Sequence, residues 1–207
     1  VSSLSIAARP GEPLAPWFSS ERAGAAGVWE RRFELSSFGD RVGGRCWRPE
    51  GTARGLVLAV HALGRDKGDP DLAAAAQVWA RAGLGSAAID LPLHGERHNA
   101  KLSRRAVAAS APGAAADLAL WHGLVAQAVR DLARALDALA TQSPLPPCAC
   151  VGFADSAPIA LAFASLDPRV ASAAALGAAR PIALELGSVP AKPLVWLARP
   201  DDLRLAR

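Results

Sequence analysis

In the stretch "VGFADSAPIALAFA", residues 151–164, Gly152 and Ser156 stand two positions either side of Ala154. Val151 and the residues before it read as a buried strand, and Ser156 to Leu166 as a helix with small residues along one face. A sharp turn from strand to helix needs small residues at those two flanks, because the backbone is crowded and strained there. Such a turn presents its central side chain above the sheet. A serine at the centre would attack an acyl carbon. Alanine carries only a methyl group, so Ala154 supports no covalent catalysis. Two neighbours do carry reactive atoms. Asp155 has a carboxylate but lies one residue past the centre. Ser156 has a hydroxyl but falls in the first helical turn, where serine and aspartate also serve as caps and dipole partners.

Two further stretches carry polar groups at strand ends. "HALGRDK", residues 61–67, follows an apolar run and offers His61, Gly64 and backbone N–H groups that could donate to a developing oxyanion. "AIDLPLHGERH", residues 88–98, places His94 and Glu96 in a polar turn at the carboxyl end of another strand. His94, Glu96 and His98 are metal-ligating types, but their alternating spacing on a turn matches no known ligand pattern, and no metal is expected. Cys148 and Cys150 fall on one face of a strand and read as small buried hydrophobes.

These residues need a frame. Residues 28–37 and 41–49 read as two antiparallel strands across Phe38-Gly39-Asp40. Residues 54–61, 84–90, 148–153, 170–177 and 192–198 are short apolar runs of the kind buried on both faces. Between them, 69–83, 124–139 and 156–166 carry helical spacing. The alternation predicts an α/β protein with a mostly parallel central sheet and an N-terminal antiparallel hairpin. Residues 1–27, rich in Pro, Gly, Ala and Ser, predict an extended, loosely packed arm before a single domain at 28–207. Residues 91–122 show no single period and predict an excursion from that domain.

The chain has 207 residues, half of them apolar and a fifth charged, with a formal net charge of +4. That composition is ordinary for a globular protein. The basic residues form no dense run, so no nucleic-acid binding is expected. No secretory signal is evident and no stretch is long enough to span a membrane, so a cytoplasmic location is expected. No cofactor is implied.

Four stretches, "VHALGRDK", "AIDLPLHGER", "VGFADSAPIALAFA" and "KPLVWLARPDD", stand in the order and spacing of the α/β-hydrolase superfamily. Over about residues 30–202 the chain resembles its small carboxylesterases and dienelactone-hydrolase-like members. Leu93 stands where the family's "D-x-P-G-H-G" loop has its first glycine. The resemblance implies an α/β-hydrolase fold, truncated after the seventh strand of that fold. It puts Ala154 at the nucleophile position and Asp201 or Asp202 at the acid. It assigns the oxyanion hole to the N–H of Asp155 with that of Ala62 or Leu63. His61, Gly64, His94 and Glu96 would lie at the pocket. The catalytic histidine has no counterpart. The reading is a protein of carboxylesterase ancestry without ester hydrolase activity as it stands, binding a small apolar ester-like ligand. The alternative is a serine carboxylesterase or lactone hydrolase represented by a Ser→Ala, C-terminally shortened form. A third idea makes Ser156 or Asp155 the nucleophile with His61 or His94 as base. Strand 193–198 would form a bare edge, to be covered by a second copy, a partner chain or the N-terminal arm.

Overall fold

The computed structural model describes residues 4–24, 27–110, 117–177 and 194–197. One sheet of nine strands runs through them. The strands are β1 (Trp17–Phe18), β2 (Arg22–Ala23), β3 (Trp29–Ser37), β4 (Asp40–Arg48), β5 (Leu56–Val60), β6 (Gly85–Ile89), β7 (Cys148–Phe153), β8 (Val170–Leu176) and β9 (Leu194–Leu197). Their spatial order is β1-β3-β4-β6-β5-β7-β8-β9, with β2 also on β3. The pairs from β6 through β5, β7 and β8 to β9 are parallel, and those from β3 through β4 to β6 antiparallel. The expected fold class is the one observed.

The hairpin β3–β4 turns at Phe38 and Gly39, both with positive φ, the conformation that matches the twist of a two-residue loop. Helix α1 (Pro70–Arg81) opens on Asp69, whose carboxylate accepts from the Asp71 N–H, with proline in its first turn. Gly83, at φ +77, follows its end. Helix α2 (Ala100–Ala109) is capped by Asn99, whose side chain accepts from the Leu102 N–H. Helix α3 (Leu118–Ala140) and helix α4 (Ala157–Leu166) complete the α-helices among the described residues. The main core packs Phe33, Leu35, Leu58 and Ile89 against a buried stripe of α3 that includes Trp121, Leu124, Ala128 and Leu132, and against Ile159 and Phe163 of α4.

Two expectations are corrected. Residues 4–24 are not a loose lead-in. They carry β1 and β2, and Leu4, Ile6, Leu14 and Phe18 pack on the core. Arg134 of α3 donates to the Pro13 and Ser36 carbonyls and ties arm and hairpin to the helix. The arm pairs with β3, at the opposite end of the strand order from β9. Within 91–122 a helix forms, α2, and α3 begins at Leu118, ahead of the expected 124. The buried positions of α2 are Ser103, Ala106 and Ala109, too small to write an apolar period into the sequence. Asp201 and Asp202 lie outside the described residues, as do most residues flanking β9.

Candidate functional site

The carboxyl ends of β5, β6 and β7 are neighbours in the sheet, so the segments after them, 61–69, 90–99 and 154–156, gather at one place. After β7 the chain turns through a single 3₁₀ turn, Ala154–Ser156, directly into α4. Ala154 sits at φ +49, the left-handed region that costs an alanine about 1 kcal/mol or more. The crowding explains the neighbours. A Cβ on Gly152 would lie 2.5 Å from Ala157 Cα and 2.9 Å from Ala160 Cβ. Only glycine on the strand and alanines on the helix allow that approach. Ala154→Gly should relieve the strain and raise stability by about 0.5–1 kcal/mol, after the entropy that glycine adds to the unfolded chain. Urea unfolding with an unchanged m-value would check it. A destabilised variant would mean that the turn is unstrained.

Ser156 is corrected as an alternative nucleophile. Its side chain is fully buried. Its Oγ accepts from the Phe153 N–H and lies 2.8 Å from the Phe153 carbonyl and 2.9 Å from that of Val60, the last residue of β5. The hydroxyl therefore staples the turn to the strand that launches the 61–69 segment. Asp155 is exposed at the turn.

His61 is 1% exposed and held at both nitrogens. Its Nε2 accepts from the Leu91 N–H at 3.1 Å, which leaves Nδ1 to donate to the Ala62 carbonyl at 2.9 Å. Burial pushes its pKa down to about 4, so the ring is neutral at physiological pH. The Ala62 carbonyl also accepts from the Arg65 N–H. In a trans peptide the carbonyl and the next N–H point in opposite directions, so these bonds fix the direction of the Leu63 N–H. His94 is 2% exposed, its ring centroid 5.5 Å from that of His61. Its Nδ1 lies 2.8 Å from the Pro92 carbonyl, and burial lowers its pKa.

The organising residue of this region is Asp90, wholly buried at the end of β6. Its carboxylate accepts from the Lys67 N–H at 3.0 Å, from Lys67 Nζ at 2.7 Å and from the Glu96 N–H at 3.0 Å. One side chain thus clips the segment after β5 to the turn after β6. Gly95, at φ +55, makes room for it, since a Cβ there would lie 2.2 Å from the carboxyl carbon. Leu93 keeps a left-handed backbone at φ +65 although it is not glycine, and its carbonyl accepts from Ser103 Oγ. Arg97 then anchors the turn to α3 through Asp131 and to the hairpin through Asp40. The sequence marked 88–98 as a polar turn but named neither Asp90 and Lys67 nor Arg97 and Asp131. The signal for the first pair was an aspartate closing an apolar strand just before a turn with glycine.

A cavity of about 420 Å³ opens between residues 64–66, the 94–98 turn and the 103–107 face of α2. Of the expected pocket residues, Gly64 and His94 line it. His61 is buried away from solvent, and Glu96 turns to Lys67 Nζ at 3.0 Å. Ala154, Asp155, Ala62 and Leu63 do not line it. Among the described residues no three His, Cys, Asp or Glu side chains stand together as metal ligands. Cys148 and Cys150 are buried, and burial pushes the Cys148 thiol up to about 11. No helix among the described residues is long and apolar enough to cross a membrane.

A sheet that is parallel through its C-terminal strands, with an antiparallel start and a strained turn from a central strand into a helix, is the architecture of the α/β-hydrolase class. The chain has the α/β-hydrolase fold, and the solved structures it resembles include esterases and a dienelactone hydrolase. A cold-adapted esterase from an Arctic intertidal metagenomic library matches it with a TM-score of 0.62 at 28% identity, over 75% of this chain and 62% of the esterase. A dienelactone hydrolase from Anabaena variabilis matches with a TM-score of 0.64 at 22% identity, over 90% of this chain and 76% of that one. An acetyl xylan esterase from Paenibacillus sp. R4 matches with a TM-score of 0.57 at 20% identity, over 80% and 54%. The chain thus spans about three fifths of the Arctic esterase it matches. No protein-family model and no curated protein matches it.

Proposed function

We propose that this chain is an esterase-derived α/β-hydrolase protein that binds a small apolar ester-like ligand without attacking it covalently. The observation that carries the reading is Ala154 at φ +49. The backbone keeps the strained turn that presents a nucleophile, and the side chain presented has none. The Asp155 N–H follows that centre, and the Leu63 N–H, set by the His61 and Arg65 bonds to the Ala62 carbonyl, is the second donor of an oxyanion hole. A ligand carbonyl would sit between them. Asp201 or Asp202 is the acid of the ancestral site.

The strain at Ala154 also favours the second reading, a serine carboxylesterase or lactone hydrolase represented here by a form with alanine in place of its serine. A fluorescent fluorophosphonate and a p-nitrophenyl butyrate assay, applied to the chain and to Ala154→Ser, separate the two. The chain itself should show no labelled band and only background hydrolysis. Labelling at residue 154 of Ala154→Ser supports the second reading, and saturable binding of p-nitrophenyl butyrate by the chain without turnover supports the first. Labelling or turnover by the unaltered chain would overturn both.

A further inference from the structure

The backbone ladder between β5 and β7 ends at the pair Val60–Gly152. Beyond it the two chains part, one into the 61–69 segment and the other into the 154–156 turn. Those segments carry the two N–H groups read above as an oxyanion hole, at Leu63 and Asp155. The Leu63 N–H meets no acceptor among the described residues. Asp155 stands in the first helical turn, where N–H groups have no intrahelical partner. Each donor is fixed within its own segment, Leu63 by the bonds to the Ala62 carbonyl and Asp155 by the crowded turn. Among the described residues no backbone hydrogen bond joins the two segments to each other. Ser156 makes the link instead. Its Oγ donates to the Val60 carbonyl at 2.9 Å and accepts from the Phe153 N–H at 3.2 Å. This is a side-chain rung added just past the last backbone rung. Asp155 directly precedes it on one chain, and Leu63 lies three residues past it on the other. Ser156 is fully buried, so water does not compete for these bonds.

We propose that Ser156 is a positioning residue whose hydroxyl sets the gap between the Asp155 and Leu63 N–H groups, and so makes the site select ligands that carry a carbonyl oxygen. The proposal rests on the reading of those two groups as the donors that hold a ligand carbonyl. Two donors grip one oxygen only when both lie about 2.7–3.1 Å from it. A displacement on the order of 1 Å at either donor breaks one of the two bonds. The hydroxyl at 156 therefore governs a ligand it never touches. Its own bonds leave it no part in attack.

The dissociation constants of p-nitrophenyl butyrate and of butyl p-nitrophenyl ether, which has a methylene in place of the carbonyl, test it. Quenching of tryptophan fluorescence in the full chain reads both. The unaltered chain should bind the ester about tenfold tighter than the ether, as expected for hydrogen bonds to the carbonyl. Ser156→Ala should cut that preference to roughly twofold or less and leave the ether's constant within about twofold of its original value. Ser156→Cys keeps a group of similar size but only a weak donor, and should do the same where alanine prevents folding. Ser37→Ala removes another buried hydroxyl, the one that donates to Asp131 at 2.6 Å, and should keep the preference. An undiminished preference in the Ser156 variants would overturn the proposal alone. So would an equal loss of ester and ether binding, or the same loss of preference in Ser37→Ala, since either would mean a general loosening of the fold. No preference in the unaltered chain would overturn the reading of the two donors, and the proposal with it.

Discussion

Replacing Asp131 by alanine is expected to cost about 3–5 kcal/mol, the range for breaking a buried ion pair from one side. Asp131 is wholly buried in α3. Its Oδ2 accepts from Arg97 Nη1 at 2.6 Å, and its Oδ1 from Ser37 Oγ at 2.6 Å and Gln127 Nε2 at 2.7 Å. Both carboxylate oxygens are engaged, and the three donors come from the 94–98 turn, from β3 and from α3 itself. Alanine would strand a guanidinium that is only 9% exposed and a buried serine hydroxyl. For a chain of this size the melting temperature should fall by on the order of 10 °C. Asp40 holds the other end of Arg97 at 2.7 Å but is 62% exposed, so Asp40→Ala should cost no more than about 1 kcal/mol. Replacing both partners, as Arg97→Met with Asp131→Leu, should recover much of the loss, because the cost lies in the uncompensated charge. Thermal unfolding of the three variants checks the ranking. Equal, small losses at Asp131 and Asp40 would mean that the pair carries no structural weight.

The parts of the molecule that could be read from the sequence are those whose signal is local. The turn at 152–156 was legible because steric crowding demands small residues at fixed offsets, and Gly152 meets Ala157 within that short range. The buried parallel strands were legible because both faces are covered, which writes an unbroken apolar run. What was not legible depends on pairs far apart in the chain. Arg97 and Asp131 are 34 residues apart, and Lys67 and Asp90 are 23 apart. Neither pair sits in a pattern that would nominate it. The arm escaped because its two strands are two residues each, and the hydrophobes packed on the core are scattered through residues 4–18. Ser156 was left between two roles for a related reason. Its type and position suit both attack and capping, and only the Val60 carbonyl, 96 residues upstream in chain numbering, shows that the hydroxyl is spent on structure.

The same logic of a fully used side chain makes His61 a determinant of acid stability. Its pKa in the folded chain is about 4 against 6.5 for an ordinary histidine, and burial is the main cause, with His94 adding to it and Asp90 and Asp66 opposing it. Both nitrogens are engaged, Nδ1 as donor and Nε2 as acceptor, so a proton can be added only by breaking the Leu91 bond. The unfolded chain has no such restriction and takes up the proton first. Above about pH 6.5 the group contributes no slope. As the pH falls from there toward 4, the unfolded state binds more protons and stability declines. The slope approaches 1.4 kcal/mol per pH unit and the total is about 3 kcal/mol. His61→Asn cannot titrate and should remove that component, at the cost of lower stability at neutral pH from the lost Leu91 bond. Urea unfolding of both proteins from pH 7.5 to 4 measures it. Parallel curves would mean that His61 takes up its proton in the folded state, and the neutral ring could then no longer be what fixes the Ala62 carbonyl and the Leu63 N–H behind it.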